Sequence, residues 1–555
     1  MCGIHVSLSS APRDIPEAVK TCLRNRGPDF LGQTVCSNDA SLAHCLTFSS
    51  TVLALRGDHL ARQPLVSPDG RTILCWNGEA WRLDGHRIEG NDGEAIHDLL
   101  TKASASDASS RQDAILNVLR AIEGPFAFVY YDKSMEKLFF GRDRLGRRSL
   151  MLAQDGISGD LVISSIAEAC DLRWKEVEAD RIYVVDLGPG SPVSAALLRQ
   201  PVKHEWLAEE HIDFVSSIGR FNKALPSDNS ALASTSPSVA MLKDRLLDSL
   251  RLRVLHIPPP PLASPTSVRL AILFSGGLDC TVLARLTHDL LEAEAEIDLI
   301  NVAFENPRVV ARLKKEANGE PVDFYEACPD RITGRKSFAE LEAVCPGRAF
   351  RFLAVNVPFT DTVAHRRQVI SLIYPHNTEM DLSIAYALYF AARARGVAVG
   401  TDGLMGAPYE SPVRVLLSGL GADELFGGYR RHSVAFSRKG YPGLVDELLL
   451  DVSQLSTRNL GRDDRVMAHC GKEVRFPYLD ECLVKWAMET PAWEKCDFEN
   501  GEDANGIEAG KRVLRLLALE LGMRGVAQEK KRAIQFGART ARMECGRVKG
   551  TTLLS

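Results

Sequence analysis

The apolar run Leu270–Phe274 passes directly into Ser275-Gly276-Gly277-Leu278-Asp279-Cys280 and then into a helical run from Thr281. Strand, glycine turn and helix in that order present backbone N–H groups and a helix N-terminus to an anion. No Gly-Lys-Ser/Thr follows the glycines, so this is not a Walker A loop. Further apolar strands at Ile297–Val302, Phe352–Val357 and Val413–Leu417 alternate with helix-like stretches. Near-continuous apolar strands with long crossovers predict an α/β domain whose parallel sheet is covered on both faces. The segment Phe304–Phe350 between them is charged and irregular and takes no assignment.

The first two hundred residues have a different texture. Short strand-like runs at Thr72–Trp76, Phe126–Tyr131, Leu138–Gly141 and Leu161–Ser164 are separated by Gly, Asp and Asn turn signals. Helix-like segments lie at Ile15–Arg24 and Gly93–Lys102, which gives an α+β domain of layered strands. A Ser-, Ala-, Pro- and Asn-rich stretch at Ala224–Pro237 reads as a linker. Val239–His256 has apolar residues at helical spacing, and Pro258–Pro261 enforces an extended backbone. The expected organisation is an N-terminal domain over residues 2–200, a linker and connecting helix over 201–266, and a second domain over 267–545.

Composition narrows the function classes. A formal net charge of -5 with no long block of either sign speaks against a nucleic-acid footprint or a polybasic membrane patch. No apolar run approaches the roughly 18 residues that span a bilayer. Arg13 and Asp14 interrupt the N-terminus before a secretory core could form. The thirteen cysteines are scattered and form no C-x-x-C pair, which argues against a disulfide framework or structural zinc. A reducing compartment, the cytosol, is expected.

The chain begins Met1-Cys2-Gly3-Ile4. Initiator methionine is normally removed before a small residue, so the expected mature N-terminus is Cys2. A thiol near pKa 8.5 and an α-amine near 8 would then share one residue. The amine can act as general base for its own side chain. Four further segments accompany this start: Arg26-Gly27-Pro28-Asp29, Asn77-Gly78-Glu79, Asn91-Asp92-Gly93-Glu94 and Arg142-Asp143-Arg144-Leu145-Gly146. Each alone is an ordinary turn. Together and in this order they resemble the class II glutamine amidotransferases of the N-terminal-nucleophile hydrolase superfamily, over roughly residues 2–200. The resemblance implies an αββα sandwich with Cys2 as nucleophile. It also implies that the Asn77 side chain and the Gly78 N–H would donate to the tetrahedral oxyanion. Asp92 would bind the ammonium of glutamine and Glu79 would orient it. Arg56, ahead of Gln63-Pro64, is the candidate for the substrate carboxylate, with Arg62 as a rival and Arg26 as a structural residue.

The loop Ser275–Cys280 resembles the S-G-G-x-D-S loop of ATP pyrophosphatases. A second loop, Ser418-Gly419-Leu420-Gly421-Ala422-Asp423-Glu424-Leu425-Phe426-Gly427-Gly428-Tyr429, resembles the S-G-E-G-x-D-E-x-F-G-G-Y signature of asparagine synthetases. Arg462-Asp463-Asp464-Arg465 and Glu473–Asp480 match the same family. Cys328–Arg335, Arg458–Arg462 and Lys531–Gly537 point within it to the eukaryotic asparagine synthetase domain-containing proteins. The resemblance implies an ATP site of Phe274, Ser275, Gly276, Gly277, Asp279, Val302, Ser418, Gly419 and Lys531. Mg²⁺ would sit on Asp279 and Asp423, since a hard cation takes carboxylate oxygen.

The pattern departs at three places. Leu420 stands where asparagine synthetases carry a glutamate near the acyl-adenylate, and leucine can neither accept a proton nor bind a cation. Cys280 replaces a hydroxyl residue and Ser149 a proline. The leading expectation is conversion of aspartate, glutamine and ATP to asparagine, glutamate, AMP and pyrophosphate. One alternative is amidation of a different carboxylate acceptor, which Leu420 would suit. Another is a nucleotide-binding regulatory protein whose synthetase chemistry has decayed. Oligomeric state is not readable from the sequence.

Overall fold

The computed structural model describes residues 2–37, 45–154, 160–167, 174–188, 201–207, 214–227, 232–259, 268–318, 320–399, 405–503, 506–543 and 549–554. Parts of the expected linker and of the Pro258–Pro261 stretch lie outside these residues. The chain forms two compact units. The first comprises Met1–Ser217, Ser371–Pro375 and Gln454–Gly471, and the second comprises the remainder. Among the described residues no helix is long and apolar enough to cross a membrane.

The first unit is built on two six-stranded antiparallel sheets. One contains Gly3–Ser9 between Leu161–Ser164 and Cys45–Val52. The other contains Phe126–Asp132 between Lys137–Arg142 and Thr72–Gly78. Strand alternation sorts side chains into layers. Ile73, Cys75, Val129 and Tyr131 pack between the sheets against Ile4, Val6, Leu46 and Phe48. The residues between them, Leu74, Trp76, Phe128 and Tyr130, turn the other way. They bury Ile96 and Leu100 of helix Asp92–Ser104, and Ile115, Leu116 and Leu119 of helix Arg111–Ala121. Val19 and Leu23 of helix Glu17–Arg26 cover the first sheet at Ile166. The result is a helix–sheet–sheet–helix sandwich, the layer order expected from the resemblance.

The second unit holds a seven-stranded sheet. Its strand order is Met405–Glu410, Arg395–Val399, Phe350–Val357, Ile297–Phe304, Leu270–Leu273, Val415–Leu417, Glu473–Arg475. The last five strands are mutually parallel. The sheet is mixed rather than wholly parallel, because Arg395–Val399 and Met405–Glu410 form an antiparallel edge. Two helices, Phe359–Ile373 and Glu379–Arg393, connect it to Phe350–Val357 where one would make a parallel crossover. The segment left unassigned from sequence contains two helices, Pro307–Glu316 and Pro329–Val344, each with proline in its first turn. Helix Pro237–Val254 also belongs to this unit, with Leu242, Leu246 and Leu250 fully buried.

Strand order reverses at Leu270–Leu273: the chain first adds Ile297–Phe304 and Phe350–Val357 on one side, and later Val415–Leu417 and Glu473–Arg475 on the other. In open α/β sheets such a switch point opens a crevice at the carboxyl ends of the strands. Helix Leu278–Leu290 leaves that crevice, and its far end is fastened by one side chain. Arg348 is buried and donates through Nη2 to His288 O at 3.0 Å and Leu291 O at 2.9 Å. Through Nη1 it donates to Ala293 O at 3.2 Å and Ala295 O at 2.7 Å. Nη1 also donates to Glu292 O, and an ammonium cannot reach all five carbonyls. Arg348→Lys is therefore expected to destabilise this unit by about 2–4 kcal/mol, read as a lower urea midpoint at unchanged slope.

Candidate active sites

In the first unit, Cys2 is buried immediately before strand Gly3–Ser9. Gln63 joins it to the second sheet: its Nε2 lies 3.8 Å from Cys2 Sγ, while its Oε1 accepts from Trp76 N–H at 2.8 Å. The next two residues of that strand are Asn77 and Gly78. The Asn77 side chain is fully buried, and among the described residues neither its oxygen nor its nitrogen has a hydrogen-bond partner. Buried amides are nearly always bonded, so this one is held ready for a group that the chain itself does not supply. Gly78 faces the partner strand so closely that a Cβ there would come within 2.5 Å of Phe126 Cβ and Pro125 O. No side chain therefore shields its backbone.

The other glutamine-site candidates gather around the next turn. Asp92 opens helix Asp92–Ser104 and accepts at Oδ2 from Ala80 N–H at 2.8 Å and from Trp76 Nε1–H at 3.0 Å. Burial holds its carboxyl above the usual range, against the opposing pull of Arg56. Arg56 Nη1 donates to Glu79 Oε2 at 3.2 Å. Its Nη2 donates to Ile88 O at 2.7 Å and its Nε to Gly90 O at 3.2 Å. Arg56 is thus joined to Glu79, and each guanidinium nitrogen already has an acceptor. Arg62 is exposed, with its guanidinium 5.5 Å above the Phe30 ring. Arg26 is fully buried and donates to the Cys2 carbonyl at 3.3 Å and to Asp464 at 2.9 Å. Gln63, a mere landmark in the sequence, is a residue beside the thiol that sequence reasoning missed. Its only signal was a polar side chain beside the proline of a turn.

In the second unit the two signature loops close adjacent parallel strands, Leu270–Leu273 and Val415–Leu417. They meet: a Cβ built on Gly419 would lie 2.9 Å from that of Asp279. Phe274 N–H donates to Ile300 O at 2.8 Å, and Val302 lies near the end of that neighbouring strand. Ser275 Oγ accepts from Gly277 N–H, and Ser418 Oγ accepts from Leu420 N–H, both at 3.3 Å. Each serine thus braces its own loop. Cys280 Sγ turns back to Gly277 O at 3.3 Å.

The centre of this arrangement is a lysine that the sequence did not single out. Lys511 Nζ donates to both Asp279 oxygens at 2.8 and 2.9 Å and lies 2.9 Å from Asp423 Oδ1. Lys531 approaches Asp423 Oδ2 at 3.7 Å and stands 4.5 Å above the Tyr429 ring. The lysine is buried and both carboxylates are partly exposed. Burial alone would lower the Lys511 pKa, but Asp279 and Asp423 outweigh it and hold the ammonium charged. Burial raises Asp279, against Lys511 and with Asp423 adding to it. Asp423 ends below the usual range because Lys511 and Lys531 together overcome its burial. Among the described residues no three His, Cys, Asp or Glu side chains converge as a metal cage. Two carboxylates alone fit Mg²⁺, which completes its shell from water and substrate phosphates.

Comparison with known proteins finds a family for each half of the chain. A glutamine amidotransferase domain family matches residues 1–182. The asparagine synthase family matches residues 404–447 and 436–550. "Asparagine synthetase domain-containing protein 1" of Bos taurus is 32% identical, over 98% of this chain and 95% of its own. This chain belongs to the asparagine synthetase domain-containing proteins. The Homo sapiens relative of the same name is 31% identical over the same shares. "Asparagine synthetase domain-containing protein YML096W" of Saccharomyces cerevisiae is 31% identical over 95% of this chain and 94% of its own. The family joins a glutamine amidotransferase domain to an ATP-utilising asparagine synthetase-like domain, so small-molecule substrates such as glutamine and ATP go with it.

Glu424, next to Asp423, offers a check on the electrostatics of this site. It is buried and accepts from Tyr429 O–H at 2.6 Å. Burial and the neighbouring Asp423 push its carboxyl up to about 7 from 4.5. A raised carboxyl favours the folded state fully below its unfolded pKa, and this advantage is lost as pH rises through the folded value. Glu424→Gln keeps an acceptor for Tyr429 and removes the titration. Its stability relative to the parent should rise between pH 5 and pH 8, by at most about 3 kcal/mol. Thermal melts at the two pH values read this, and an offset independent of pH would show the carboxyl to be unperturbed.

Proposed function

We propose that this protein releases ammonia from glutamine at Cys2 and uses ATP to form an amide, with aspartate as the acceptor and asparagine, glutamate, AMP and pyrophosphate as products. The observation that carries the reading is the meeting of two glycine loops on adjacent parallel strands around Asp279, Lys511 and Asp423. Anion-facing loops flanked by two lysines suit a polyphosphate, and the partly exposed carboxylates suit the cation that accompanies it. Mg²⁺ held by Asp279 and Asp423 would neutralise phosphate charge.

At the first site, removal of Met1 leaves the Cys2 α-amine free to take the thiol proton. The thiolate attacks the amide carbon of glutamine, and the proton passes to the departing ammonia. Water then cleaves the thioester to glutamate and restores the thiol. Asn77 Nδ2 and the Gly78 N–H would donate to the oxyanion, each such donor typically contributing about 3 kcal/mol. Asp92 would bind the substrate ammonium and Glu79 would orient it. The Arg56 guanidinium, engaged as it is, would have to exchange a carbonyl for the substrate carboxylate. At the second site the acceptor carboxylate attacks the α-phosphorus of ATP and displaces pyrophosphate. Ammonia then displaces AMP from the acyl-adenylate. Lys511 and Lys531 are suited to hold the departing phosphates.

Leu420 supports a second reading, in which the acceptor is a different carboxylic acid. Its partly buried side chain lines the loop that a carboxylate would otherwise occupy. Pyrophosphate release by the purified protein with glutamine, Mg²⁺-ATP and a panel of carboxylic acids decides between the two. Release dependent on aspartate supports the first, and release dependent on another acid supports the second. Nucleotide binding without turnover of any acid would leave a binding protein and remove both. Cys2→Ala is expected to abolish glutamine hydrolysis and to spare any reaction fed with ammonia. Asp279→Ala is expected to abolish Mg²⁺-ATP binding, and calorimetry with unchanged affinity would contradict the site.

A further inference from the structure

Tyr429 ends the second signature loop, and the glycines before it decide where its ring goes. Helix Ala422–Phe426 stops at Gly427, whose φ of 71° is the left-handed conformation that closes helices. Gly428 then passes so close to Asp423 that a Cβ there would overlap Asp423 Oδ1. Its N–H donates to Asp423 O at 2.9 Å. The turn therefore folds Tyr429 back towards the carboxylate of its own loop.

Both ends of Tyr429 are fixed. Its backbone N–H donates to His432 Nδ1 at 3.1 Å, and its hydroxyl donates to Glu424 Oε1 at 2.6 Å. Glu424 and His432 are buried, and His432 Nε2 lies 2.9 Å from Asp451 Oδ2. Asp451 is 19 residues further along helix Arg430–Ser453. A straight helix would hold the two roughly 28 Å apart. The kink at Gly440 returns Asp451 to the start of the helix, where it locks His432 beneath Tyr429.

Two cations lie over the ring so held. The Arg431 guanidinium carbon is 4.0 Å from its centroid and Lys531 Nζ is 4.5 Å from it. Arg431 is committed elsewhere, at 3.2 Å to Glu447 and 2.5 Å to Asp451. The Lys531 ammonium is not. Asp423 Oδ2 stands 3.7 Å from it, beyond hydrogen-bond range. Lys511 is the contrast, because it spends its donors on Asp279 and Asp423. A lysine side chain gives up much rotamer freedom when a ligand has to order it. A ring face attracts the ammonium through its quadrupole and takes up none of the three N–H donors. Lysine ordered by a ring is thus placed in advance with its donors kept for an anion.

We propose that Tyr429 is the positioning residue for Lys531. The face of its ring, braced by Glu424 and His432, holds the ammonium ready for the pyrophosphate end of a nucleotide. The inference rests on the reading of Lys531 as a holder of phosphate.

The test measures Mg²⁺-pyrophosphate affinity by calorimetry on the full-length protein. Tyr429→Phe keeps the face and loses only the hydroxyl, and it should bind within about threefold of the parent. Pentafluorophenylalanine at position 429 keeps the shape of phenylalanine and reverses the polarity of the face. It should bind about tenfold more weakly than Tyr429→Phe. Lys531→Met should bind more weakly than the parent, and in that background the two rings should differ by less than about twofold, since coupled residues are not additive. A merely structural role for the ring would carry its full effect into the Lys531→Met background. Equal affinity of the two rings, or the same difference with and without Lys531, overturns the proposal. Proton–carbon spectra of parent protein carrying carbon-13 lysine decide it if the ring variants do not fold. The Cε proton signal that Lys531→Met removes should lie upfield of the other lysines, and a signal among them overturns the contact and the proposal. Parent protein that binds no Mg²⁺-pyrophosphate, or Lys531→Met that binds it as the parent does, overturns the phosphate reading and this inference with it.

Discussion

Two carboxylates and one ammonium, Asp279, Asp423 and Lys511, set the terms for the second half of the molecule. Paired carboxylates in a crevice repel, and burial penalises both. Lys511 resolves this by standing between them, which lets two loops from distant parts of the sequence approach within contact. Removing any member leaves uncompensated charge, and such charge is far more costly than the intact group is favourable. The strand order makes this necessary: it reverses at Leu270–Leu273 while the strands stay parallel, so both loops open on one crevice.

The first half solves the opposite problem. Its site needs donors that are buried and yet uncommitted. The Asn77 amide is fully enclosed and makes no hydrogen bond among the described residues, while the strand on which it stands is fixed by the Phe126–Asp132 ladder and by Gln63. Rigid backbone with an idle side chain is the condition under which a donor can act on developing charge without first rearranging.

Much of this was legible in the sequence, for reasons tied to particular residues. Thr72–Gly78 and Ile297–Phe304 announce themselves as strands because every residue but one is buried. The glycine loops are legible because their residues are contiguous. Lys511 was not, since it lies 232 positions from Asp279 and reaches it only through the fold. The helices within Phe304–Phe350 were missed because the apolar stripe of Pro307–Glu316 is only Val309, Val310 and Leu313, set among five charged residues. Their signal was the proline in each first turn, after Asn306 and Cys328. The antiparallel edge was hidden because strand direction depends on how many helices intervene, which strand composition does not record.

The interleaved course of the chain bears on any attempt to divide it. A polypeptide stopped near Ser217 would contain every strand of the two six-stranded sheets, yet it would lack Gln454–Gly471. Arg26 and Arg148 would then meet in the interior without Asp464 beside them. Modular dissection at the obvious junction therefore cuts through the electrostatic balance of the amidotransferase half, and evolution is equally restrained from shuffling the halves as separate cassettes.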